Sequence, residues 1–228
     1  MAIKLVVFDM AGTTVRDQNY VALALQKALN NHGFEISLEQ INPLMGYEKP
    51  LAIRMLLQKT EPKVETISEE LVEAIHTDFV AEMLNFYQTS QEIAPLPHVE
   101  ETFDTLRSLG IKIGLNTGFS RSIAQTIVDR LEWSDKIDGL VASDEVSQGR
   151  PYPYMIQKLM TQMQINDVRQ VAKVGDTEVD VNEGLNAGCP YVIGVTTGAF
   201  THDELLPYKP THIVDDLSKI IPIVTAQD

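Results

Sequence analysis

Short apolar runs rich in β-branched residues alternate with longer amphipathic stretches along most of the chain. Runs of this length predict buried strands, and they cover residues 4–8, 112–117, 139–143, 171–176, 191–195 and 212–215. Helical periodicity lies between the later runs, over residues 99–109, 121–131, 154–163 and 182–187. Strands that alternate with helices through short connections predict a parallel sheet with helices on both faces and right-handed crossovers.

Residues 18–90 show a different pattern, because no strand-like run occurs there. Helices are predicted over residues 20–29, 50–58 and 68–87, and Ser68 is a suitable amino-terminal cap for the last one. We call residues 18–90 the helical insertion. The predicted architecture is therefore an α/β protein with a Rossmann-like core formed by residues 1–17 and 91–228. We expect hinges near Val15–Asp17 and Gln91–Pro95.

Composition narrows the class of protein. The chain has 228 residues, of which 44% are hydrophobic, and this is enough to bury a sizeable core. A formal net charge of -14 argues against an electrostatic grip on nucleic acid or an anionic membrane. The single cysteine, Cys189, excludes an internal disulfide, and no amino-terminal stretch resembles a secretion signal. We therefore expect a cytoplasmic protein.

Polar residues that can take part in catalysis or ligand binding follow several predicted strands, at the edge where ligands of open α/β sheets bind. Asp9 ends the first strand, and a carboxylate held there can attack phosphorus when a divalent cation screens its charge. The alternative is that Asp9 only caps the following loop or helix. After the second strand, the Thr117 hydroxyl and the Gly118 amide can donate hydrogen bonds to a phosphoryl oxygen.

The third and fourth of these strands add a cation and paired carboxylates. Arg150 lies in a Gly-Arg-Pro loop, which would hold its side chain against a phosphate or against the nucleophile. Asp176 ends the fourth strand and could hold Mg²⁺ together with Asp9, with Asp180 one helical turn further on. Each residue taken alone is more typical of an ordinary turn, loop or surface position.

Taken together and in order, these strand ends resemble the haloacid dehalogenase superfamily of phosphoryl-transfer enzymes, and the resemblance covers the whole chain. It implies that Asp9 is the nucleophile and that Thr117 and Arg150 bind the phosphoryl group. It also implies that Mg²⁺ is held by Asp9, the Ala11 carbonyl and Asp176, with support from Asp180. The helical insertion then corresponds to a cap domain that closes over the core and excludes water.

Ala11 departs from the pattern of phosphatases in this superfamily, which carry a second Asp at that position as a general acid and base. General acid–base catalysis is worth roughly 10²–10⁴-fold, so an alanine there disfavours cleavage of an ordinary phosphate ester. A carbon leaving group next to an imine would avoid the problem, because electrons flow into the C=N bond. Alternatively, Thr13, Thr14 or groups of the substrate could replace the missing acid.

Lys49 can supply the amine for such an imine. Pro50 suits the first turn of a helix, so Lys49 is expected at a helix amino terminus, where the dipole disfavours its ammonium form. The alternative is that Lys49 is a phosphate- or carboxylate-binding cation, or a plain surface residue. Closure of the helical insertion would bring Lys49 and Tyr47 to the non-phosphoryl end of the substrate. We count Thr13, Gly46, Tyr47 and Gly118 as candidate substrate-binding residues.

The combination Asp-Met-Ala-Gly-Thr-Thr, Met-Gly-x-x-Lys, Gly-Arg-Pro-Tyr-Pro and Lys-Val-Gly-Asp-Thr resembles the phosphonatase branch of this superfamily, which includes phosphonoacetaldehyde hydrolase. That enzyme uses its cap lysine as a Schiff base and releases acetaldehyde and phosphate. Here Asn19, Ala52 and Phe119 replace its Cys, His and Tyr.

The resemblance implies a Mg²⁺-dependent hydrolase of a small phosphonate or phosphorylated metabolite. The alternatives are a phosphomonoesterase resembling phosphoglycolate phosphatase and a non-catalytic phosphate-binding protein. Leu23, Leu25 and Leu29 could form a homodimer interface on the cap.

Overall fold

The computed structural model describes residues 2–60 and 67–226. Its centre is a parallel sheet in the order β3-β2-β1-β4-β5-β6. The strands are β1 (Leu5–Phe8), β2 (Lys112–Thr117), β3 (Gly139–Ala142), β4 (Val171–Gly175), β5 (Tyr191–Val195) and β6 (His212–Val214). The predicted α/β fold with a parallel sheet is confirmed.

Strand β1 is central because it pairs with β2 on one side and with β4 on the other. All four of its residues are buried, as expected for a strand covered on both faces. Val6 and Phe8 belong to one hydrophobic cluster, whereas Leu5 and Val7 belong to another on the opposite face. The next residue along the chain, Asp9, therefore emerges at the carboxyl edge of the sheet.

Helices cover both faces of the sheet. They are α5 (Val99–Ser108), α6 (Arg121–Arg130), α7 (Tyr154–Gln162), α8 (Glu178–Ala187), α9 (His202–Leu205) and α10 (Ile220–Thr225). Helices α5 and α6 contribute Phe103, Leu106 and Ile123 to the cluster that contains Phe8. Helix α7 contributes Met155 and Leu159 to the cluster that contains Val7.

The helical insertion contains α1 (Tyr20–Asn31), α2 (Leu38–Ile41), α3 (Lys49–Thr60) and α4 (Glu69–Thr89). Ser68 caps α4 as predicted, because its hydroxyl accepts a hydrogen bond from Leu71 N at 3.2 Å. Helices α1 and α3 pack on α4, which in turn packs on α6 of the core. Of the described helices, none has the length and apolar character needed to cross a bilayer.

Leu25 and Leu29 are fully buried between the helices of the insertion. The prediction that they form a dimer interface is therefore wrong, since side chains that pack inside one chain cannot present an apolar face to another. Leu23 is 45% exposed and remains available at the surface. The homodimer itself stays a prediction.

The two connections of the insertion run side by side. Arg16 N donates to Ala94 O at 3.0 Å, and Leu96 N donates to Thr14 O at 3.0 Å. Both predicted hinge segments are therefore adjacent, and they lie next to the carboxyl end of β1. The proposed boundaries of the core and the cap stay a prediction.

Helix α8 begins at Glu178, four residues before the predicted start at 182. Thr177 precedes the helix, and its amide and hydroxyl both donate to Asp180 Oδ2, at 3.2 Å and 2.6 Å. This side-chain cap closes the first turn and draws Asp180 inward. The short helices α2, α9 and α10 were not predicted, because four to six residues are too few to show a clear helical period.

Candidate active site

The carboxyl ends of β1, β2 and β4 meet the helical insertion around a cavity of about 140 Å³. Eight of the residues singled out from the sequence line this cavity: Asp9, Ala11, Gly46, Lys49, Thr117, Gly118, Arg150 and Asp176. The sheet brings together the residues from the core, because parallel strands present their carboxyl ends at one edge. Gly46 and Lys49 reach the cavity from the insertion.

Three buried carboxylates form a cluster at this edge. Oxygen atoms of Asp9, Asp176 and Asp180 lie within 4.8 Å of one another. Asp176 accepts hydrogen bonds from Thr13 Oγ1 at 3.0 Å and from Ala199 N at 2.7 Å, and within the described parts of the chain it forms no ion pair. Burial and the charges of the other two carboxylates raise the pKa of Asp176 well above its usual range. A cluster of this kind fits a bound metal ion, whose positive charge would offset the repulsion.

Arg150 connects two of these carboxylates. Its Nη1 lies 2.8 Å from Asp9 Oδ1 and also contacts Asp180 Oδ1. Burial raises the pKa of Asp9 to about 6, although the Arg150 charge acts in the opposite direction. The pKa of Asp180 is lowered to about 2, since its cationic neighbours outweigh the effect of burial. Arg150 thus holds the Asp9 side chain at the cavity wall.

The Nε of Arg150 is buried and has no hydrogen-bond partner among the residues that the structure describes. A buried donor without a partner costs roughly 1–3 kcal/mol. Arg150 lines the cavity together with Thr117 and Gly118. The three residues predicted to bind a phosphoryl group therefore lie together.

Lys173 belongs to the Lys-Val-Gly-Asp-Thr motif but was given no role from the sequence, and the structure places it fully buried behind the carboxylate cluster. Its Nζ lies 3.0 Å from Asp180 Oδ1 and 3.1 Å from Glu183 Oε2, and it donates to Asn116 Oδ1 at 2.7 Å. The Asn116 amide in turn donates to both oxygens of Glu183. The sequence signal that could have revealed this network is a lysine and an asparagine inside apolar strands, because buried polar groups need partners.

Lys49 is the first residue of α3 and only 2% exposed. Its Nζ donates to Met45 O at 2.9 Å and to Tyr47 O at 3.1 Å, and the Phe119 ring centroid lies 5.6 Å away. Burial lowers the pKa of Lys49 to about 8, helped by the Arg150 charge and opposed by Asp9 and Asp17. A neutral amine has two N–H bonds and one lone pair, so two carbonyl acceptors leave the lone pair available.

The structure places Thr13 and Tyr47 differently from the prediction, since neither lines the cavity. The Thr13 hydroxyl donates to Asp176 and thus orients a cluster carboxylate. The Tyr47 hydroxyl donates to Glu178 Oε1 at 2.8 Å, and burial together with that carboxylate raises the pKa of Tyr47 to about 12. Tyr47 therefore joins the insertion to α8. Asp180 also lies outside the cavity wall, behind Arg150.

A comparison with protein families gives the class of this protein. The model of the haloacid dehalogenase-like hydrolase family matches residues 3–188, which is most of the chain. This protein therefore belongs to the haloacid dehalogenase-like hydrolases, and it is a hydrolase.

Individual relatives point to one branch of the family. A phosphonoacetaldehyde hydrolase from Bacillus mycoides (strain KBAB4) is 32% identical over an alignment of 241 positions, gaps included. The match covers 96% of this chain and 87% of that protein. The bifunctional phosphonoacetaldehyde hydrolase/aminoethylphosphonate transaminase of Clostridioides difficile (strain 630) is 34% identical over 195 residues. That match covers 82% of this chain but 30% of the bifunctional protein.

A solved structure gives the same fold. A phosphonoacetaldehyde hydrolase like protein from Oleispira antarctica superposes with a TM-score of 0.84 at 24% identity, covering 99% of this chain and 92% of that one. At this identity the likeness shows the fold alone.

Proposed function

We propose that this hydrolase cleaves the carbon–phosphorus bond of a small phosphonate that carries a carbonyl group on the neighbouring carbon, with phosphonoacetaldehyde as the first candidate. The observation that carries the proposal is the buried Lys49 amine, which lines the same cavity as Asp9 and has its two donors directed to main-chain carbonyls. A lysine with a lowered pKa is suited to imine formation. The names of the relatives support the same substrate class.

In the first stage, Lys49 Nζ attacks the carbonyl carbon, and loss of water gives a protonated imine. An Asp9 oxygen then attacks phosphorus and forms an O–P bond while the C–P bond breaks. The electron pair of that bond moves toward the imine nitrogen and leaves an enamine on Lys49. Ala11 is compatible with this route, since a carbon leaving group whose electrons enter C=N needs no acid at residue 11.

In the second stage, the enamine takes up a proton on carbon, and water releases acetaldehyde from Lys49. A second water hydrolyses the acyl phosphate on Asp9 and gives inorganic phosphate. Thr117, Gly118 and the Nε of Arg150 would hold the phosphoryl oxygens throughout, since donors fixed before the reaction stabilise developing charge without reorganisation. Closure of the helical insertion as a cap would exclude bulk water from both intermediates.

The carboxylate cluster suits Mg²⁺, which prefers oxygen ligands and a few carboxylates. Asp9, the Ala11 carbonyl and Asp176 would hold the ion, with Asp180 in support. When bound, it would screen the negative charge of Asp9 from that of the phosphoryl oxygens. Asp180 and Thr13 would keep the ligating side chains in place.

The test compares turnover of phosphonoacetaldehyde by the wild type, Lys49→Arg and Lys59→Met in the presence of Mg²⁺. Lys59 is an exposed lysine on the same helix and serves as the matched control. We expect Lys49→Arg to abolish release of phosphate and acetaldehyde, because a guanidinium cannot form the imine, while binding of inorganic phosphate in calorimetry persists. Turnover of phosphonoacetaldehyde retained by Lys49→Arg would reject the imine route, because C–P cleavage would then proceed without an amine at residue 49.

A further inference from the structure

Asp17 is an acidic residue on the cavity wall for which the sequence motifs give no role. It follows the first connection of the insertion and lines the cavity together with Lys49. Its Oδ1 accepts hydrogen bonds from Tyr20 N at 2.8 Å and from Val21 N at 3.4 Å, and thereby caps α1. The other oxygen, Oδ2, accepts no hydrogen bond from the described residues. One carboxylate oxygen thus fixes the side chain of a residue that lines the cavity.

The surroundings of Asp17 favour its protonated form more than water would. Burial raises its pKa, whereas the Val21 amide and the charge of Lys49 act in the opposite direction. Burial, together with the charges of Asp17 and Asp9, raises the pKa of the Tyr87 phenol on α4. Asp17 and Lys49 therefore form an electrostatically coupled acid and base in one cavity.

Imine chemistry needs a group that delivers and removes protons near the amine. The titratable side chains that line the described cavity are Asp9, Asp17, Lys49, Arg150 and Asp176. In the proposed function, Asp9 is the nucleophile, Lys49 carries the imine and Asp176 belongs to the carboxylate cluster. Arg150 stays protonated at every working pH. Asp17 is the lining group that remains for proton transfer.

We propose that Asp17 is the acid–base catalyst of the imine steps; this inference rests on the proposed function. After Lys49 has added to the carbonyl, the protonated Asp17 carboxyl donates its proton to the carbinolamine hydroxyl. The C–O bond breaks, water leaves with the bonding electrons, and the nitrogen lone pair forms the C=N bond. In product release, the Asp17 carboxylate accepts a proton from the water that attacks the imine carbon, and the hydroxyl oxygen bonds to that carbon.

The test uses Asp17→Asn, because asparagine keeps an oxygen that can cap α1 but loses the acid. Acetaldehyde and borohydride are added to the protein, and mass spectrometry follows the N-ethyl group that reduction of the imine leaves on Lys49. We expect trapping to slow by about 10²-fold in Asp17→Asn, the lower range for a lost general acid. Turnover of phosphonoacetaldehyde should fall similarly, with little change in binding of inorganic phosphate.

Two further variants separate catalysis from capping. Asp216 also accepts a helix-capping hydrogen bond, from Ser218 N at 2.8 Å, but lies outside the cavity, so Asp216→Asn should trap acetaldehyde at the wild-type rate. Asp17→Ser retains a capping oxygen without an acid, and we expect it to be as slow as Asp17→Asn. Equal trapping rates in the wild type and in either folded Asp17 variant would overturn the role of Asp17. Absence of trapping on wild-type Lys49 would instead overturn the imine and the proposed function.

Discussion

Lys49 shows how burial sets the chemistry of a single residue. Its pKa is lowered to about 8, and the groups that act on it are Arg150, Asp9 and Asp17. The reactive neutral amine becomes more abundant as pH rises through that value. We therefore predict that kcat/KM of Asp17→Asn for phosphonoacetaldehyde, in which the proposed acid no longer titrates, increases with pH up to about 8 and then levels off, because this parameter reports groups of the free enzyme. A profile that falls over the same interval would contradict this assignment.

Lys173 has a structural role that can be tested separately from catalysis. Lys173→Met leaves Glu183 as a buried carboxylate without its cation. Removal of one partner of a buried pair typically costs about 3–5 kcal/mol, and we predict a loss of that size in the free energy of unfolding. The matched control is Lys158→Met, which breaks a partly exposed contact with Glu145 and should cost about 0–1 kcal/mol. Chemical denaturation measures both, and equal losses would argue against the buried network.

The loss of stability caused by Lys173→Met should depend on pH in one direction. Burial already raises the pKa of Glu183 in the wild type, and removal of the Lys173 charge must raise it further. A carboxyl with a raised folded pKa becomes neutral as pH falls, and the unpaired charge then disappears. The destabilisation by Lys173→Met should therefore be smaller at about pH 5 than at about pH 8. A loss that is independent of pH would show that Glu183 does not carry the penalty.

The sequence predicted the positions of residues at strand ends better than it predicted contacts between side chains of different elements. Asp9, Thr117 and Asp176 could be placed because a strand that ends at a polar residue fixes where that residue emerges. The contacts of Tyr47 with Glu178 and of Thr13 with Asp176 depend on how separate elements meet, so no local pattern contains them. Asp17 looked like a hinge residue, and only the structure shows that it lines the same cavity as Lys49.

At the scale of elements, the loop before α3 determines where Lys49 lies. Gly46 sits so close to the core that a Cβ there would lie 2.2 Å from Thr177 Oγ1 and 2.4 Å from Val179 Cγ2. Gly118 is in similar contact with the Tyr47 carbonyl, at 2.7 Å for an added Cβ. The two glycines let the loop approach the strand ends, and this close approach puts the Lys49 amine at the cavity.

We predict that Gly46→Ala displaces this loop and strongly lowers turnover of phosphonoacetaldehyde while the protein stays folded. Gly33→Ala provides the comparison, because a Cβ there meets no heavy atom within 4 Å but its φ of +87° is unfavourable for alanine. That strain costs roughly 1–2 kcal/mol. Thermal unfolding and steady-state kinetics should thus show a destabilised but active Gly33→Ala and an impaired Gly46→Ala. Normal turnover by Gly46→Ala would show that the loop tolerates displacement.

Helix boundaries near the site were harder to predict than strands. The helix after β4 was predicted to begin only at 182, and Gly-Asp-Thr is typical of turns. In the structure, Thr177 and Asp180 close a capped first turn at that place. A side-chain cap of this kind can be recognised from spacing, but Asp180 was interpreted only by its predicted role in metal binding.

At the scale of the whole molecule, the candidate active site is built at a cost in stability. Asp9, Asp176, Asp180 and Glu183 are all buried, and the cations in contact with them are Arg150 and Lys173. Of the four carboxylates, Asp176 has no ion-pair partner in the part of the chain that the structure describes. Functional sites commonly retain such destabilising arrangements.

The excess of buried carboxylates over buried cations predicts that Mg²⁺ affects the stability of the protein. Without the ion, Asp176→Asn should be at least as stable as the wild type, because it removes a repelling charge. Mg²⁺ should raise the midpoint of thermal unfolding of the wild type, since a ligand that binds the folded state stabilises it, and should have little effect on Asp176→Asn. Equal shifts in both proteins would place the metal site elsewhere.

The global arrangement was the part most accessible from sequence. The parallel sheet could be predicted because its strands are buried on both faces and appear as continuous apolar runs. The helical character of residues 18–90 was equally clear from the absence of such runs. Which helical residues face inward was less clear, as Leu25 and Leu29 show, because the insertion shares a hydrophobic cluster with the core and this cluster buries positions that look amphipathic.

The most direct test of the central claim is the ratio of kcat/KM for phosphonoacetaldehyde to kcat/KM for phosphoglycolate, measured with purified wild-type protein and Mg²⁺. Asp9→Ala serves as the blank, because it lacks the proposed nucleophile. We predict a large preference for the phosphonate, with acetaldehyde and phosphate formed in equal amounts. Turnover of phosphoglycolate and other esters, with none of the phosphonate, would contradict C–P cleavage and assign Lys49 to substrate binding.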